Sequence, residues 1–398
     1  MKNLKQKTYA YALKNALAHG GKANQGPIIS SLFNEGLKKN EVKKYIKEIS
    51  NIIKEVNSLS LEKQKKEFEK LEDKVSKREV RVGLREFPNV KKSGVIMRIA
   101  PSASGPLHIG HALVAGLNIL YVEKYGGKFY VRIEDTNPDN ILLESYKLIE
   151  KDAKWLFKDS KIIIQSDRIE LYYKYAEKLI KKNSAYVCIC SGDKFREFSK
   201  KKENCPCRKK NVKENIKEWK KMLNKNGFKS GEAVLRFKSS MKNPNPAMRD
   251  FPLARINETK HPRQKNKYRV WPLMNLAVTV DDIELKMTHI IRGKDHRDNA
   301  KRQEMIYKVL GKKVPYTTFI GIVHFKDLEL SSSKIREEIV KGKYSGWGDK
   351  NLPTLISLKK QGYKPAAFLK FSELVSLGEN DKIIDKKEYF RLLDNFNK

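Results

Sequence analysis

The sequence predicts an α/β protein built on a doubly wound parallel sheet, with helical and inserted segments added to it. Three observations carry that expectation. A strand, a Gly-containing turn, a helix and a second strand follow one another between residues 95 and 133, the opening order of such a sheet. The same alternation resumes between residues 268 and 310. And a chain of 398 residues that is 39% hydrophobic has apolar material for two to four packed domains.

Taken in order, residues 1–92 read as an appended helical domain. An Ala-rich segment, Tyr9 to His19, stops at Gly20-Gly21; amphipathic segments follow from Asn24 to Gly36 and from Asn40 to Asn57. Glu and Lys then interleave at helical spacing from Leu61 to Arg81. Residues 93–158 are expected to form the first half of the sheet domain. Val95 to Ala100 is a short apolar run, a buried strand; Pro101 to Pro106 is a Ser/Gly-rich turn; Leu107 to Tyr125 is a helix; and Lys128 to Ile133 is the next strand, after Gly126-Gly127. Residues 159–257 break the rhythm with helical runs, the cysteines and a Pro-containing patch at Asn243 to Pro246, and read as an insertion. Residues 258–343 resume the alternation, with Tyr268 to Val280, Met287 to Arg292, a helix from His296 to Leu310, and a strand and loop from Thr318 to Ser333. Residues 344–398 read as mainly helical, and no internal repeat is visible.

Composition narrows the function classes. Lys+Arg 84 against Asp+Glu 47 leaves a net charge of +37, which implies a polyanionic partner or a lysine-biased organism. With 22 Gly and 14 Pro the chain is neither collagen-like nor low-complexity. No stretch approaches the roughly 20 apolar residues of a membrane span, and Met1 to Ala18 lacks a signal peptide's apolar core, so no membrane association and a cytoplasmic location are expected.

The chemistry concentrates first in the turn Ala100-Pro101-Ser102-Ala103-Ser104-Gly105-Pro106-Leu107-His108-Ile109-Gly110-His111. A strand feeding such a turn into a helix presents free backbone N–H groups and the positive end of the helix dipole to an anion. His108 and His111, three residues apart, share one helix face and can reach one phosphate, and two of the chain's 7 His fall here. Gly110 between them leaves room for a flat base or ribose.

This segment resembles the His-Ile-Gly-His signature of class I aminoacyl-tRNA synthetases, in the glutamyl/glutaminyl branch, with Ala103 where relatives usually carry proline. Further blocks follow in the family's order: Arg132 to Pro138, Tyr268 to Asp282, Thr288 to His296, and Leu330 to Lys334 at the mobile signature loop. Tyr11 to Ala16 with His19 to Ala23 is similar to the helical extension of archaeal glutamyl-tRNA synthetases. The resemblance implies a Rossmann-like catalytic domain, with residues 159–257 as an inserted domain that binds the tRNA acceptor stem. It implies ATP-dependent ligation of glutamate to the 3′ end of tRNA through glutamyl-adenylate, with Mg²⁺ bridging phosphates, the 2′-hydroxyl of the terminal adenosine as acceptor, and tRNA bound before activation.

Residue roles follow from the same resemblance. ATP is expected across Gly105, His108, Gly110, His111 and Asp295, with His108, His111, Ser333 and Lys334 acting on its phosphates. The usual loop places a lysine where this chain has Ser332, so Lys334 is expected to supply the cation needed beside the pyrophosphate. Glutamate carries a side-chain carboxylate that glutamine lacks, so its pocket needs a guanidinium. Arg98 and Arg292 are the candidates; Arg292 is the informative one, because glutaminyl relatives typically hold an uncharged residue there. Glu134 is expected to face the α-ammonium group, with Ser102 beside it.

All four cysteines fall in one window, Cys188-x-Cys190 and Cys205-x-Cys207, separated by 14 residues. In a cytosolic protein that spacing favours a structural tetrahedral Zn²⁺ site over disulfides. Basic pairs such as Lys209-Lys210 and Lys220-Lys221 are available to acceptor-stem phosphates.

Family members normally continue into an anticodon-binding domain, and about 50 residues follow the Tyr344-Ser345-Gly346-Trp347 block here. Three readings stay open: a separately encoded anticodon-binding subunit, an enzyme that recognises only the acceptor arm, or a paralogue with another acceptor. The expected substrates are L-glutamate and tRNA-Glu, with tRNA-Gln as a second acceptor. The alternatives are glutamylation of a modified tRNA base and a non-catalytic tRNA-binding paralogue.

Overall fold

The computed structural model describes residues 3–76 and 83–398, and the chain falls into two compact units, 1–82 and 83–398. The first unit is helical as expected: α1 (Leu4–Ala18), α2 (Gln25–Asn34), α3 (Val42–Asn57) and α4 (Leu61–Glu69). Leu13, Ala16, Ile28, Leu32, Ile49, Ile52 and Val56 are its buried core. The charged run expected to be helical from Leu61 to Arg81 is helical only through Glu69; a single 3₁₀ turn, Glu72–Lys74, follows. Gln64 is the one buried residue of α4, so little burial supports a longer helix. The remainder of that run, 77–81, and the first two residues of the chain lie outside the described residues.

In the second unit β1 (Val95–Ile99), α5 (Ile109–Tyr125) and β2 (Gly127–Ile133) realise the expected opening, and β1 and β2 pair in parallel. Helix α6 (Ser145–Leu156) leads to β3 (Lys161–Ile164), which pairs parallel to β2. An expected boundary at 159 would have left this third parallel strand in the insertion; the strand pairing moves it into the sheet. Next come α7 (Ile169–Lys181), β4 (Ala185–Cys188), α8 (Gly192–Lys201), α9 (Val212–Leu223), β5 (Val234–Phe237), β6 (Pro252–Ile256) and β7 (Val270–Pro272). β4 to β7 form one antiparallel sheet, so β7 completes the inserted sheet instead of resuming the parallel one.

The parallel fold resumes with α10 (Met274–Glu284), β8 (His289–Gly293), α11 (Arg297–Val309) and β9 (Tyr316–Ile320), β8 and β9 pairing in parallel. Thr288 ties this pair to β1: its backbone N–H donates to the Ile96 carbonyl at 3.0 Å and its hydroxyl accepts from the Ile96 N–H at 2.8 Å. The strands thus run β3-β2-β1-β8-β9 with their carboxyl ends at one edge, the doubly wound order that places ligands there.

The chain continues with β10 (Val323–Lys326), α12 (Ser332–Val340), α13 (Leu355–Lys360), α14 (Pro365–Val375), β11 (Lys382–Asp385) and α15 (Lys386–Phe396). β11, in a stretch expected to be mainly helical, pairs parallel to β10. The terminal helices belong to the core of the parallel sheet: Ala367, Phe368, Phe371, Tyr389 and Leu393 are buried with the residues of β1, α5 and β2. α14 lies so close on α5 that a Cβ at Gly116 would stand 2.2 Å from Ser372 Oγ, which is why only glycine fits at the crossing. Among the described residues no helix is long and apolar enough to cross a membrane.

Candidate active site

The turn after β1 is held by its neighbours. Glu134 N–H donates to the Pro101 carbonyl at 2.9 Å and Ala103 N–H to the Glu134 carbonyl at 3.3 Å, so Ser102 stands opposite Glu134 beyond the ends of β1 and β2. From α6, the buried Asp152 accepts the Leu107 N–H at 3.0 Å. The segment before α13 closes the other side: Ile109 N–H donates to the Pro353 carbonyl at 3.1 Å and Leu355 N–H to the Leu107 carbonyl at 2.9 Å.

His108 then caps α5. Its Nδ1 accepts the Gly110 N–H at 3.1 Å, His111 Nδ1 accepts the His108 N–H at 3.4 Å, and the two ring centroids are 3.9 Å apart. With both Nδ1 atoms accepting, each ring carries its proton on Nε2. Burial pushes His111 down to about 4 and, joined by the neighbouring His111, pushes His108 well below the usual imidazole range. The pair is therefore neutral near pH 7, and it meets an anion with two N–H donors at the positive end of α5. A Cβ at Gly110 would stand 3.0 Å from the His108 ring, so the missing side chain makes room for that ring as well as for a ligand.

Beneath the turn lies a buried charge cluster. Arg98 makes a paired contact with Asp282, Nε to Oδ1 at 3.0 Å and Nη2 to Oδ2 at 2.9 Å. Arg132, fully buried, donates from Nη1 to Asp282 Oδ1 at 2.6 Å and from Nη2 to Glu134 Oε1 at 3.0 Å. Arg292, also buried, donates from Nη1 to Gln303 Oε1 at 3.0 Å, while its Nε has no partner. Burial first, and then the Arg98 guanidinium, push Arg292 down to about 10. Four guanidiniums, Arg98, Arg132, Arg292 and the Arg168 that pairs with Asp281, therefore face three carboxylates, Asp281, Asp282 and Glu134, and the cluster keeps one uncompensated positive charge. A buried cation with an idle donor is a site for an incoming carboxylate.

The structure places Arg98, Ser102, Glu134 and Arg292 around this cluster, and two of the three Arg98 nitrogens are committed to Asp282, which leaves Nη1. Sequence reasoning missed Arg132, Asp282 and Gln303 as site residues. An arginine between Val131 and Ile133 in a buried strand was the available signal for Arg132.

The segment 331–334, expected as a mobile loop, is the start of α12. Ser331 caps the helix, its Oγ accepting the Lys334 N–H at 3.5 Å. Ser332 is the residue that meets the signature turn: a Cβ at Gly105 would lie 3.1 Å from Ser332 Oγ. Ser333 and Lys334 are exposed on the first turn of α12, and Lys334 Nζ pairs with Glu329 at 3.2 Å. Asp295 sits on the 3₁₀ turn after β8, at the carboxyl edge of the sheet, 3.6 Å from His296 Nε2.

At the end of β4 the four cysteines converge. Cys188 Sγ lies 3.6 Å from Cys205 Sγ, and Cys190 Sγ lies 3.3 Å from Cys205 and 3.8 Å from Cys207. All four sulfurs fall within 4.8 Å of one another and none is in a disulfide. Four Zn–S bonds of about 2.3 Å in a tetrahedron give S···S edges of about 3.8 Å. The donor set and its spacing fit a metal ion bound by four thiolates, with no position left for a substrate.

A parallel sheet whose first strand opens into a histidine-bearing turn at a helix N-terminus, with an antiparallel module inserted between its halves, is that of a class I aminoacyl-tRNA synthetase catalytic domain. The family model of class I tRNA synthetases (E and Q), catalytic domain, matches residues 94–396, and the chain belongs to that family. It is 43% identical over 380 residues to the glutamate–tRNA ligase of Methanocaldococcus jannaschii, covering 95% of this chain and 68% of that protein. To the glutamate–tRNA ligase of Methanothermobacter marburgensis it is 41% identical, covering 97% and 70%. The crystal structure of a glutamate tRNA ligase from Elizabethkingia meningosepticum in complex with its amino acid shares the fold at a TM-score of 0.53 and 20% identity, over 75% of this chain and 68% of that one.

Proposed function

We propose that this chain is a glutamate–tRNA ligase, which activates L-glutamate with ATP and esterifies it to the 3′ end of tRNA-Glu. Its membership of the class I E and Q family and its likeness to curated glutamate–tRNA ligases support the reaction. The observation that carries the choice of amino acid is Arg292, a buried guanidinium with an idle Nε in a cluster one negative charge short of neutrality. A glutamate side-chain carboxylate supplies that charge; a glutamine amide does not.

The other groups take roles that fit their surroundings. Glu134, held by Arg132, accepts from the α-ammonium, with Ser102 across from it and Arg98 Nη1 as a further donor. This leaves the α-carboxylate free toward the signature turn. There the Nε2–H groups of His108 and His111 donate to ATP phosphate oxygens, next to Gly105 and Gly110, and Asp295 offers an acceptor to the nucleotide. Ser333 and Lys334 reach the leaving pyrophosphate from the first turn of α12, Lys334 exchanging Glu329 for the phosphate. An α-carboxylate oxygen attacks the α-phosphorus, its bond to pyrophosphate breaks, and the adenylate forms. The tRNA hydroxyl then attacks the acyl carbon, loses its proton, and AMP leaves. No side-chain nucleophile is needed, because catalysis rests on positioning and charge stabilisation.

Mg²⁺, when bound with ATP, would neutralise the phosphates. Zn²⁺ is the ion that fits Cys188, Cys190, Cys205 and Cys207, where it would brace the inserted sheet beside its basic helices. The cytoplasm, where ATP and tRNA meet, is the proposed location.

Acid-gel charging of total tRNA with purified protein, ATP, Mg²⁺ and radiolabelled glutamate or glutamine tests this reading. Base-labile glutamyl ester on tRNA-Glu is the expected product, and the same gel shows whether tRNA-Gln is a second acceptor. Label from glutamine alone, or from neither amino acid, would refute the assignment.

A further inference from the structure

A cavity of about 340 Å³ lies opposite the catalytic edge, at the amino-terminal edge of the parallel sheet. It opens beneath the starts of β1, β8 and β9, and that volume is within the range of small-molecule sites. Its rim carries four exposed lysines from three separate segments: Lys91 before β1, Lys286 between α10 and β8, and Lys312 and Lys313 before β9. Among the described residues none of the four has a carboxylate at ion-pair distance. Its walls are apolar and aromatic, with Met287 and Tyr316 among them. At its floor stand Asp282 and Tyr307.

Tyr307 is the observation that turns a basic cleft into a site. Its side chain is 3% exposed and its hydroxyl has no hydrogen-bond partner. A buried phenol left unpaired costs on the order of 1–3 kcal/mol, which a ligand acceptor would recover. The Asp282 carboxylate is not its partner: its oxygens accept from Arg98 and Arg132. Asp282 lines the cavity and also holds Arg98 and Arg132, so the floor of this cavity is the back wall of the substrate cluster.

We propose that this cavity binds a phosphate-bearing small molecule with an apolar or aromatic body: the lysines take the phosphate, the walls take the body, and Tyr307 donates to an acceptor at its inner end. Such a ligand presses on the Asp282 that orients Arg98 and Arg132, so its occupancy is read out at the amino-acid pocket. The inference is independent of which amino acid the catalytic edge activates.

Titration calorimetry with 1-naphthyl phosphate, on protein held in saturating ATP so that the catalytic phosphate site is filled, tests it. One saturable site is expected, weakened at least about tenfold by the double substitution Lys286→Glu/Lys312→Glu and about threefold or more by Tyr307→Phe. Inorganic phosphate is expected to bind at least about tenfold more weakly than the naphthyl ester. No saturable heat in the presence of ATP, binding unchanged by both variants, or phosphate binding as tightly as the ester would each overturn the proposal.

Discussion

Asp152 accepts the backbone N–H of Leu107 at 3.0 Å, and through that bond a buried carboxyl on α6 sets the entry of the histidine-bearing turn. Burial pushes this carboxyl up to about 7. An acid raised above its unfolded value favours the fold while protonated, so stability declines as pH rises from about 4 through 7. Asp152→Asn keeps an oxygen for Leu107 and abolishes the titration. Thermal unfolding is expected to show it more stable than the wild type at pH 8, by about 2 kcal/mol or a few degrees, and nearly equal to it at pH 4. A gain of the same size at both pH values would show that the carboxyl is not titrating.

Asp282 is a positioning residue whose two oxygens are shared between Arg98 and Arg132. Burial alone would raise its pKa, but the two guanidiniums outweigh it and hold the carboxyl near 2. Asp282→Asn leaves Arg98 without its paired carboxylate and Arg132 with only Glu134 and the more distant Asp281, and a loss of roughly 3 kcal/mol in stability is expected. Steady-state pyrophosphate exchange separates this from a general defect: KM for the amino acid should rise at least about tenfold with KM for ATP within about twofold. Equal rises in both constants would mean that Asp282 only supports the fold.

The neutral histidine pair has its own pH signature. Because His111 stays uncharged down to about 4 and His108 lower still, KM for ATP should be flat from pH 6 to 8. In the unfolded chain both imidazoles charge near 6.5, so their contribution to stability is lost as pH falls from 6.5 toward 4. His111→Ala removes one phosphate donor and is expected to lower kcat/KM for ATP about 100-fold. An ATP KM that climbs tenfold between pH 6 and 8 would instead indicate a charged imidazolium contact.

For the sulfur cluster the expectation is one zinc per chain by elemental analysis. Cys205→Ser should lose it, and hydrogen exchange should then show lost amide protection in β4 and the segments around it first, with β1 and β2 still protected. Full protection of β4 in a metal-free variant would contradict a bracing role.

Much of this was legible in the chain itself, and the misses have physical causes. The β1–α5–β2 unit announces itself because an apolar run, a Pro/Gly turn and a long apolar helix follow one another without interruption. β3 hides because Lys161-Ile-Ile-Ile is an edge strand of four residues, only partly buried and too short to show a period. β7 misleads, since Val270-Trp271-Pro272 before a helix reads like a strand of the parallel sheet, and only its pairing with Ala254 to Ile256 shows otherwise. β11 escapes because Ile383 is exposed and the strand is bounded by charges, Asp381 and Lys382 on one side and Lys386-Lys387 on the other, the dress of a protected edge. In the site, the histidines, Glu134 and Arg292 stand in motifs. Gln303 does not: it lies on the polar helix α11, and its role appears only when α11 packs beside β8 and its Oε1 meets Arg292.

The central claim is that Arg292 reads the side-chain carboxylate, and the direct measurement is kcat/KM for glutamate and for glutamine in tRNA charging by the wild type and by Arg292→Gln. The expected result is a wild type that prefers glutamate and a variant whose kcat/KM for glutamate falls at least about 100-fold, with a raised glutamine-to-glutamate ratio. A variant that charges glutamate within about threefold of the wild type, at an unchanged ratio, would contradict the claim.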